Sequence, residues 1–452
     1  ATVATLNWRG LVSYQDVLQA DIRIAALPEG ADPDSLVRSN PASLRALIDT
    51  AKPVADHLFD TIGERVDIED PRARSRAVEA LGAEDLRWVG GCVRDTLLGY
   101  PANDIDAATR HLPATVIDRC RSAGIRTVPT GIDHGTITVL TDGGPVEVTT
   151  LREDVSTDGR RATVAFASDW REDAARRDFT INALYADPAT LELFDYFGGL
   201  QDLEARRVRF IGDARQRIRE DHLRILRYYR FQARFGAALD EEAEEACAEL
   251  APMLKGLSRE RVAMELTAIL ALPDPAPTIA RMHEHGVLPV ILPEAGADQI
   301  AALDQLIATE AGCETAPDPI VRLSALLPAD GSTAETVAAR LRLSRRHRDL
   351  LVCLAAREPS DAEAPKALAY TQGSACAAGR LLLGGKDPRV IAGWDIPQLP
   401  LKGGEIVARG LSGAEVSKTL RAVEARWVAE EFPDRARVLT LLDEVLRSRT
   451  SS

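Results

Sequence analysis

The stretch from residue 88 to residue 106 constrains this chain most, because it combines a glycine pair, a segment of short-helix length and two closely spaced aspartates. The pair Gly90-Gly91 ahead of a helix lets backbone N–H groups approach a phosphate at the positive end of that helix. Side chains two apart on a strand share a face, so Asp104 and Asp106 are predicted to face together while Ile105 enters the core. Paired carboxylates beside an anion cradle suit Mg²⁺ that carries nucleotide phosphates, although the aspartates taken alone favour a tight turn.

Length and composition set broad limits on the class of protein. The chain has 452 residues, with 45% apolar and 27% charged content, which is typical of soluble globular proteins of several domains. No apolar run is long enough to span a bilayer and no secretory signal is visible, so we expect a cytoplasmic protein with no membrane partner. The net charge of −14 argues against a nucleic-acid partner, but binding depends on the local field, so overall charge is a weak guide.

The cysteines and histidines predict no zinc site. The six cysteines are scattered without a C-x-x-C pair, which predicts reduced thiols and neither zinc nor disulfides. His283 and His285 lie two apart on a predicted helix and therefore diverge, which favours surface or packing roles over metal binding.

The hydrophobic pattern predicts two kinds of structure along the chain. From about residue 83, helix and strand patterns alternate, with a helix near 112–123 and a hairpin formed by 134–140 and 146–151. After Gly199 the pattern is helical to the end. We therefore predict an α+β protein, with an N-terminal mixed α/β nucleotide-handling head followed by an all-α neck, body and tail.

The second strand of the predicted hairpin carries a further carboxylate. Glu147 falls on the face opposite Val146 and Val148. It is predicted either to stand beside the two aspartates as a third carboxylate or to face solvent on an edge strand, and spacing alone favours neither. The polar segment 152–161 that follows is predicted to be a flexible loop by its composition.

A second informative stretch, residues 206–234, is unusually rich in arginine. Asp221, Arg224 and Arg227 are spaced by three, so they are predicted to project from adjoining parts of one helical side. A solvated helix with weak Asp–Arg pairs is the simpler interpretation, but such density of positive charge repels itself unless carboxylates or bound phosphates neutralise it. The ten arginines are Arg206, Arg207, Arg209, Arg215, Arg217, Arg219, Arg224, Arg227, Arg230 and Arg234.

The pair formed by Asp221 and Arg224 has a specific chemical use. A carboxylate accepts a hydrogen bond from an exocyclic amine, and a guanidinium donates to a ring nitrogen or carbonyl oxygen. Cytosine and adenine both offer a donor next to an acceptor, whereas uracil and guanine present the wrong order. One such pair could therefore accept C and A without a template strand.

These segments carry a family resemblance. The chain resembles the class II tRNA nucleotidyltransferases, the CCA-adding enzymes of the polymerase-β-like superfamily. A looser likeness at 398–404 is similar to the tail entry of alphaproteobacterial and mitochondrial-type members. The segments that match the family motifs in order and spacing are 90–95 with 104–106, 176–182, 195–199 and 220–224.

The resemblance implies a role for each matching residue. Asp104 and Asp106 are expected to hold two Mg²⁺ ions and to be catalytic. Glu147 is added to the catalytic carboxylates on its strand position alone. The residues expected to bind nucleotide are Gly91 and Arg94 for the triphosphate, Arg177, Asp178 and Asn182 for the ribose 2′-OH, Asp221 and Arg224 for the base, and Arg227 and Arg230 for the triphosphate.

The implied reaction joins these roles. The 3′-OH of tRNA attacks the α-phosphate of CTP or ATP and pyrophosphate leaves, so tRNA, through its acceptor arm and 3′ end, is the expected partner. The nearest alternatives are a bacterial poly(A) polymerase and a partial enzyme that adds only CC or only A. A different class of alternative is a non-catalytic RNA-binding relative, against which the aspartate pair argues.

The predicted domain boundaries follow from the same motifs. They are an extension of unknown role over 1–82, a nucleotidyltransferase head over 83–205, a base-recognising neck over 206–275, a helical body over 276–385 and a tRNA-contacting tail over 386–452. Within the body, the basic run 345–349 either contacts the tRNA backbone or is simply solvated.

Overall fold

The computed structural model describes residues 23–24, 52–53, 71–100, 105–141, 144–157, 162–236 and 239–450. These residues form two compact units. The first unit comprises the described residues up to Val155, then Val164–Arg176 and Asn182–Tyr196. The second unit comprises the described residues of 156–163, then Arg177–Ile181 and the described residues from Phe197 onward.

The first unit is built on a mixed sheet of seven strands in the order β11-β10-β3-β4-β7-β6-β5. Only β4 and β7 pair in parallel within it; the other neighbours are antiparallel. The strands are β3 (Leu86–Val89), β4 (Ile105–Thr109), β5 (Arg126–Gly131), β6 (Thr136–Thr141), β7 (Gly144–Thr150), β10 (Leu184–Ala186) and β11 (Leu193–Asp195). Two short strands, β1 (Arg23–Ile24) and β2 (Lys52–Pro53), pair separately.

Helices cover the apolar side of this sheet. The helices of the first unit are α1 (Pro71–Leu81), α2 (Gly91–Leu97), α3 (Pro113–Ser122) and α4 (Trp170–Ala175). Leu81 and Val116 from α1 and α3 are buried against Ile137 and Val148 of the sheet. The observed α3 confirms the predicted helix near 112–123, and the antiparallel pairing of β6 with β7 confirms the predicted hairpin. Both strands are rich in β-branched residues, which favour extended backbone.

The predicted flexible loop over 152–161 is wrong in part. Strands β8 (Arg152–Thr157) and β9 (Ala162–Phe166) pair with one another. The polar composition hid alternating β-branched residues, such as Val155 and Thr157, which favour extended backbone.

The second unit is helical, and this confirms the predicted α+β class with an all-α portion after the head. None of the helices that the structure describes is long and apolar enough to cross a membrane. The helices are α5 (Gly199–Glu204), α6 (Ala214–Glu220), α7 (Arg224–Phe235), α8 (Glu241–Leu250), α9 (Arg259–Leu270), α10 (Ala276–Glu284), α11 (Leu288–Ile291), α12 (Ala297–Gly312), α13 (Pro319–Ala325), α14 (Gly331–Arg340), α15 (Arg345–Ala355), α16 (Pro365–Gln372), α17 (Ser374–Leu383), α18 (Gly403–Val407), α19 (Ala414–Ala429) and α20 (Arg435–Thr450).

The prediction that all six cysteines are reduced thiols is wrong. Cys353 on α15 and Cys376 on α17 form a disulfide, with their Cα atoms 6.2 Å apart. The two helices pack against one another, which brings together cysteines whose separation of 23 residues gives no sequence signal. Cys92, Cys120 and Cys247 are buried free thiols.

A buried ion pair fixes the end of α9 in the helical unit. Arg322 on α13 pairs with Glu310 on α12 at 2.7 Å, and each side chain is 3% exposed. Arg322 also donates hydrogen bonds to the carbonyl oxygens of Leu270, Leu272 and Pro273. These bonds satisfy the carbonyl group of the last residue of α9 and two carbonyl groups of the turn that follows it.

Replacing Glu310 with alanine should lower the free energy of unfolding by about 3–5 kcal/mol, because the Arg322 charge would stay buried without its partner. Urea titration followed by circular dichroism measures the change. The matched control is Glu415→Ala, since Glu415 pairs with Lys418 at 3.4 Å with both side chains at least half exposed, and its loss should cost less than about 1 kcal/mol. Equal effects of the two substitutions would contradict the prediction.

Candidate functional site

The first part of the candidate site lies where β4 and β7 run side by side. Asp106 on β4 is the register partner of Glu147 on β7, in a parallel pair. Paired residues on neighbouring strands lie about 4.8 Å apart and point to the same face. Glu147 is exposed and Asp106 is partly exposed, whereas the flanking Val146 and Val148 are buried. The strand register thus places Glu147 beside Asp106, while Asp104 lies outside the described residues.

A glycine turn starts the helix next to this edge. Gly90 precedes α2 with φ 73° and ψ −125°, in the region that favours glycine. Its N–H donates to the carbonyl oxygen of Leu184 at 3.2 Å, which ties the turn to β10. Gly91 is the first residue of α2, so the predicted glycine pair and short helix are where the sequence pattern puts them.

Arg94 is buried on α2, at 4% exposure. Its guanidinium donates from Nε to Asp95 at 2.8 Å and from Nη1 to the side-chain oxygen of Asn182 at 2.5 Å. The structure therefore brings the residue expected at the triphosphate together with one expected at the ribose. This bond fixes the orientation of the Asn182 carboxamide.

Arg177 and Asp178 lie in the short segment 177–181 of the second unit. Asp178 is 8% exposed; one of its oxygens accepts from Nε of Arg227 at 2.7 Å and the other from the backbone N–H of Phe179 at 2.9 Å. The Phe179 ring packs against those of Phe210 and Phe231, at 4.8 and 5.4 Å between centroids. This aromatic contact holds Asp178 against α7.

Arg227 and Arg230 share a second carboxylate on α9. Glu265 pairs with Arg230 at 2.6 Å and lies 3.9 Å from Arg227. Burial alone would lower the pKa of the Arg227 guanidinium, but the charge of Asp178 raises it above its ordinary value. Carboxylates from outside their own helix therefore orient both arginines.

The predicted single helical side for Asp221, Arg224 and Arg227 is wrong. Helix α6 ends at Glu220, and α7 begins at Arg224. Asp221 lies between them in extended backbone, with φ −147° and ψ 106°, and its side chain accepts from the N–H of Leu223 at 3.1 Å. An aspartate that bonds to the backbone two residues on competes with helix formation, which explains the break.

Asp221 and Arg224, the two residues proposed to read the base, each have a charged partner of their own. Arg224 donates to Glu220 at 2.6 Å and to the carbonyl oxygen of Arg217 at 2.9 Å. Asp221 pairs with Arg261 on α9 at 2.7 Å. The sequence analysis missed Arg261, because a separation of 40 residues from Asp221 gives no periodic signal.

Carboxylates neutralise most of the arginine-rich stretch, as the charge argument requires. Seven of the ten arginines pair with acidic side chains among the described residues. They are Arg207 and Arg209 with Asp202, Arg215 with Glu249, Arg217 and Arg224 with Glu220, Arg227 with Asp178, and Arg230 with Glu265.

Comparison with known proteins decides the family. Residues 86–209 match the model described as the poly A polymerase head domain, and residues 236–298 match one described as a probable RNA and SrmB-binding site of polymerase A. The mouse protein named CCA tRNA nucleotidyltransferase 1, mitochondrial, is 35% identical over 364 residues, covering 76% of this chain and 82% of the relative. The chain belongs to the CCA tRNA nucleotidyltransferase family.

Further relatives of this nucleotidyltransferase agree. The CCA-adding enzyme of Lactiplantibacillus plantarum is 41% identical over 236 residues, which cover 52% of this chain and 56% of the relative. The crystal structure of the Bacillus stearothermophilus CCA-adding enzyme in complex with CTP has a TM-score of 0.70 at 27% identity, and the match covers 85% of this chain and 99% of that one. The resemblance to class II CCA-adding enzymes inferred from the motifs is thus confirmed.

Asp202 braces the segment that carries Asp178. It is 1% exposed and accepts hydrogen bonds from Thr180 at 2.6 Å and from Nε of both Arg207 and Arg209 at 2.9 Å. Burial alone would raise the pKa of the Asp202 carboxyl, but these hydrogen bonds together hold the pKa below its ordinary value. A depressed pKa stabilises the folded state above the unfolded pKa of about 3.9, and this contribution is lost as the pH falls through the folded pKa.

Replacing Asp202 with asparagine should therefore lower the free energy of unfolding by about 1.5–3 kcal/mol at pH 7, through the loss of charge-assisted hydrogen bonds. The difference between the variant and the wild type should shrink as the pH falls below about 4, because the Asp202 carboxyl of the unfolded chain takes up a proton there before that of the folded chain does. Urea unfolding of both proteins at pH 7 and pH 3 measures it. A difference that stays constant over this range would contradict the assignment.

Proposed function

We propose that this nucleotidyltransferase adds CCA to the 3′ end of tRNA without a template, using CTP and ATP. The observation that carries the proposal is the register pairing of Asp106 with Glu147 next to the glycine turn of the head. It supports a carboxylate edge in a chain whose relatives, over three quarters of its length, are CCA tRNA nucleotidyltransferases.

We propose that two Mg²⁺ ions bind at this edge, held by Asp104 and Asp106. The described part of the edge fits this cation, because Asp106 and Glu147 offer the carboxylate oxygens that Mg²⁺ prefers. When bound, Mg²⁺ would lower the pKa of the attacking hydroxyl and neutralise the departing pyrophosphate. Glu147 is proposed as the third catalytic carboxylate, since its register position is next to Asp106.

The nucleotide's phosphates and ribose are proposed to contact the head motif and the segment after it. Gly91 opens α2 and presents backbone N–H groups to the triphosphate, and Arg94 supplies positive charge beneath it. Asn182, whose side-chain oxygen accepts from Arg94, is proposed to contact the ribose 2′-OH. Arg177 and Asp178 are proposed to complete ribose recognition.

Base choice is proposed to rest on Asp221 and Arg224, with Arg227 and Arg230 on the triphosphate. Arg261 and the Leu223 N–H each use one Asp221 oxygen, and each oxygen keeps a further lone pair for the exocyclic amine of C or A. Glu220 orients Arg224 to donate to the neighbouring ring acceptor. Uracil and guanine place a carbonyl oxygen where Asp221 requires a donor.

Two alternatives share the head chemistry: a poly(A) polymerase and a partial enzyme that adds only CC or only A. The names of the relatives that cover most of the chain favour full CCA addition. Incubating the protein with tRNA that lacks its 3′ CCA, Mg²⁺ and each labelled nucleoside triphosphate separately distinguishes them. Incorporation of CTP followed by ATP is expected; ATP polymerisation alone would favour the poly(A) alternative.

Cytoplasmic location stays a prediction, since the mouse relative is named mitochondrial.

Asp106→Ala should reduce nucleotide incorporation by about 10³-fold or more, because several kcal/mol of charge stabilisation would be lost. Asp104→Ala should behave in the same way. Binding of tRNA should survive, since these carboxylates do not contribute attraction for RNA phosphates. Single-turnover incorporation and a tRNA-binding titration provide the two measurements. The control is Asp118→Ala on the exposed side of α3, and full activity of either active-site variant would refute the role.

Asp221→Asn and Arg224→Ala should retain the capacity to transfer a nucleotide but lose discrimination against U and G. The asparagine keeps the shape of Asp221 and presents an NH₂ donor where the carboxylate accepts, so one misplaced bond should reduce selectivity by about 10- to 100-fold. The ratio of kcat/KM for CTP to that for UTP, measured by primer extension on tRNA, tests this. Unchanged selectivity in both variants would count against base reading by this pair.

A further inference from the structure

A buried carboxylate lies in the first unit, on the short helix that precedes the residues proposed to bind the ribose. Asp173 on α4 is 1% exposed. One of its oxygens accepts from Nε and Nη2 of Arg176, at 2.9 and 2.7 Å, and also from the backbone N–H of Arg152 at 3.2 Å. The other oxygen accepts from the hydroxyl of Tyr185 at 2.7 Å. Both oxygens of Asp173 are therefore held by groups from separate parts of the chain.

Two of these donors flank the ribose segment, which we define as residues 177–182. Arg176 directly precedes this segment, and Tyr185 on β10 follows shortly after it. Because Asp173 bonds to a residue on each side, a single carboxylate joins the two ends of the ribose segment. The covalent chain then limits where the residues between these ends can lie. The ribose segment is thus a loop whose ends meet at Asp173.

The Asp173 carboxylate is buried at a position where aromatic rings already pack. Tyr185 makes edge contacts with Trp170 on α4 and with Tyr196, at 5.8 and 6.0 Å between ring centroids. A buried charge destabilises a protein unless it is paired and hydrogen-bonded, and apolar side chains often fill such a site without loss of stability. What the carboxylate adds is direction, because hydrogen bonds to both of its oxygens restrict the donors to one arrangement.

Asn182, at the end of the ribose segment, needs accurate placement for its proposed role. It is 7% exposed, and its side-chain oxygen accepts from Nη1 of Arg94 at 2.5 Å. A residue that recognises a ligand must be held within about 0.5 Å of its productive position by the groups around it. A site that hydrogen-bonds a hydroxyl group rejects analogues without that group, provided that its own polar groups stay in place.

We propose that Asp173 is a positioning residue for ribose recognition, an inference that rests on the proposed function. It acts through Arg176 and Tyr185, which fix the two ends of the ribose segment. By holding this loop in one arrangement, Asp173 sets the preference for a ribonucleotide over a 2′-deoxyribonucleotide. The choice of base lies with Asp221 and Arg224 and does not depend on Asp173.

The test compares Asp173→Asn and Tyr185→Phe with the wild type. Asparagine keeps the size of Asp173 but loses its charge and replaces one acceptor oxygen with an NH₂ group. Tyr185→Phe removes a single hydroxyl group and keeps the ring. The control is Asp169→Ala, since the exposed Asp169 caps α4 by accepting from the N–H of Arg171 at 2.7 Å. This control loosens the same helix without removing a bond to either end of the ribose segment.

The readout is the preference for CTP over dCTP. Titration with each nucleotide in the presence of Mg²⁺ gives two Kd values, and single-turnover incorporation on tRNA that lacks CCA gives two rates. In Asp173→Asn the preference should fall by about tenfold in both measurements, because binding of CTP weakens while that of dCTP changes little, and in Tyr185→Phe by about threefold. The Kd for tRNA and the preference for CTP over UTP should stay at wild-type values, and Asp169→Ala should keep the wild-type preference for CTP over dCTP.

Several results would overturn the inference. They are an unchanged preference for CTP over dCTP in both variants, an equal fall of that preference in Asp169→Ala, an equal loss of the preference for CTP over UTP, and a wild-type protein that binds CTP and dCTP equally. If circular dichroism shows that Asp173→Asn does not fold, Tyr185→Phe decides the test. A wild-type protein that binds CTP more tightly than dCTP but incorporates neither CTP nor ATP would instead refute the proposed function, and the Kd ratios of the variants would still decide the role of Asp173.

Discussion

The parallel pairing of β4 with β7 is the constraint on which the head depends. Every other neighbour in the seven-stranded sheet is antiparallel, so this pair alone brings two strands of the same direction together. Because its register aligns Asp106 with Glu147, it buries the alternating valines and leaves the two acidic side chains on the opposite face. A slip of one residue would move the valines to solvent and the carboxylates into the core. The hydrophobic effect therefore fixes the spacing of the acidic edge.

In the helical unit, ion pairs fix the positions of the arginine side chains. Arginines proposed to meet the nucleotide are held by carboxylates from elsewhere in the chain, as Asp178 and Glu265 hold Arg227. An arginine without a partner loses conformational entropy when it binds a phosphate. Because these ion pairs already restrict the arginine side chains in the free protein, less entropy is lost on binding. The same pairs explain how ten arginines coexist within 29 positions of an acidic protein.

The sequence was sufficient for local features and for the family. Alternation of apolar residues predicted the β6–β7 hairpin, and the glycine pair predicted the start of α2. It could not decide whether Glu147 faced solvent or Asp106, because that depends on which strand lies beside β7. Nor could it reveal Arg261 or the Cys353–Cys376 disulfide, since both depend on packing between helices distant in sequence. The spacing of Asp221 gave a wrong prediction for a local reason: its side chain accepts a hydrogen bond from the Leu223 N–H, and this turn separates α6 from α7 and ends the helical periodicity.

Helix α9 is clamped at both ends, by Glu260 to Arg342 at its start and by Arg322 at its last carbonyls. Between these clamps it carries Arg261 and Glu265, which orient side chains on and before α7. It therefore links the packed helical body to the residues proposed to choose the nucleotide. Under the proposed function, substitutions that shift the apolar packing of the body would reach the nucleotide-choosing residues through α9, so the accuracy of the added RNA end would depend on packing distant from Asp221 and Arg224.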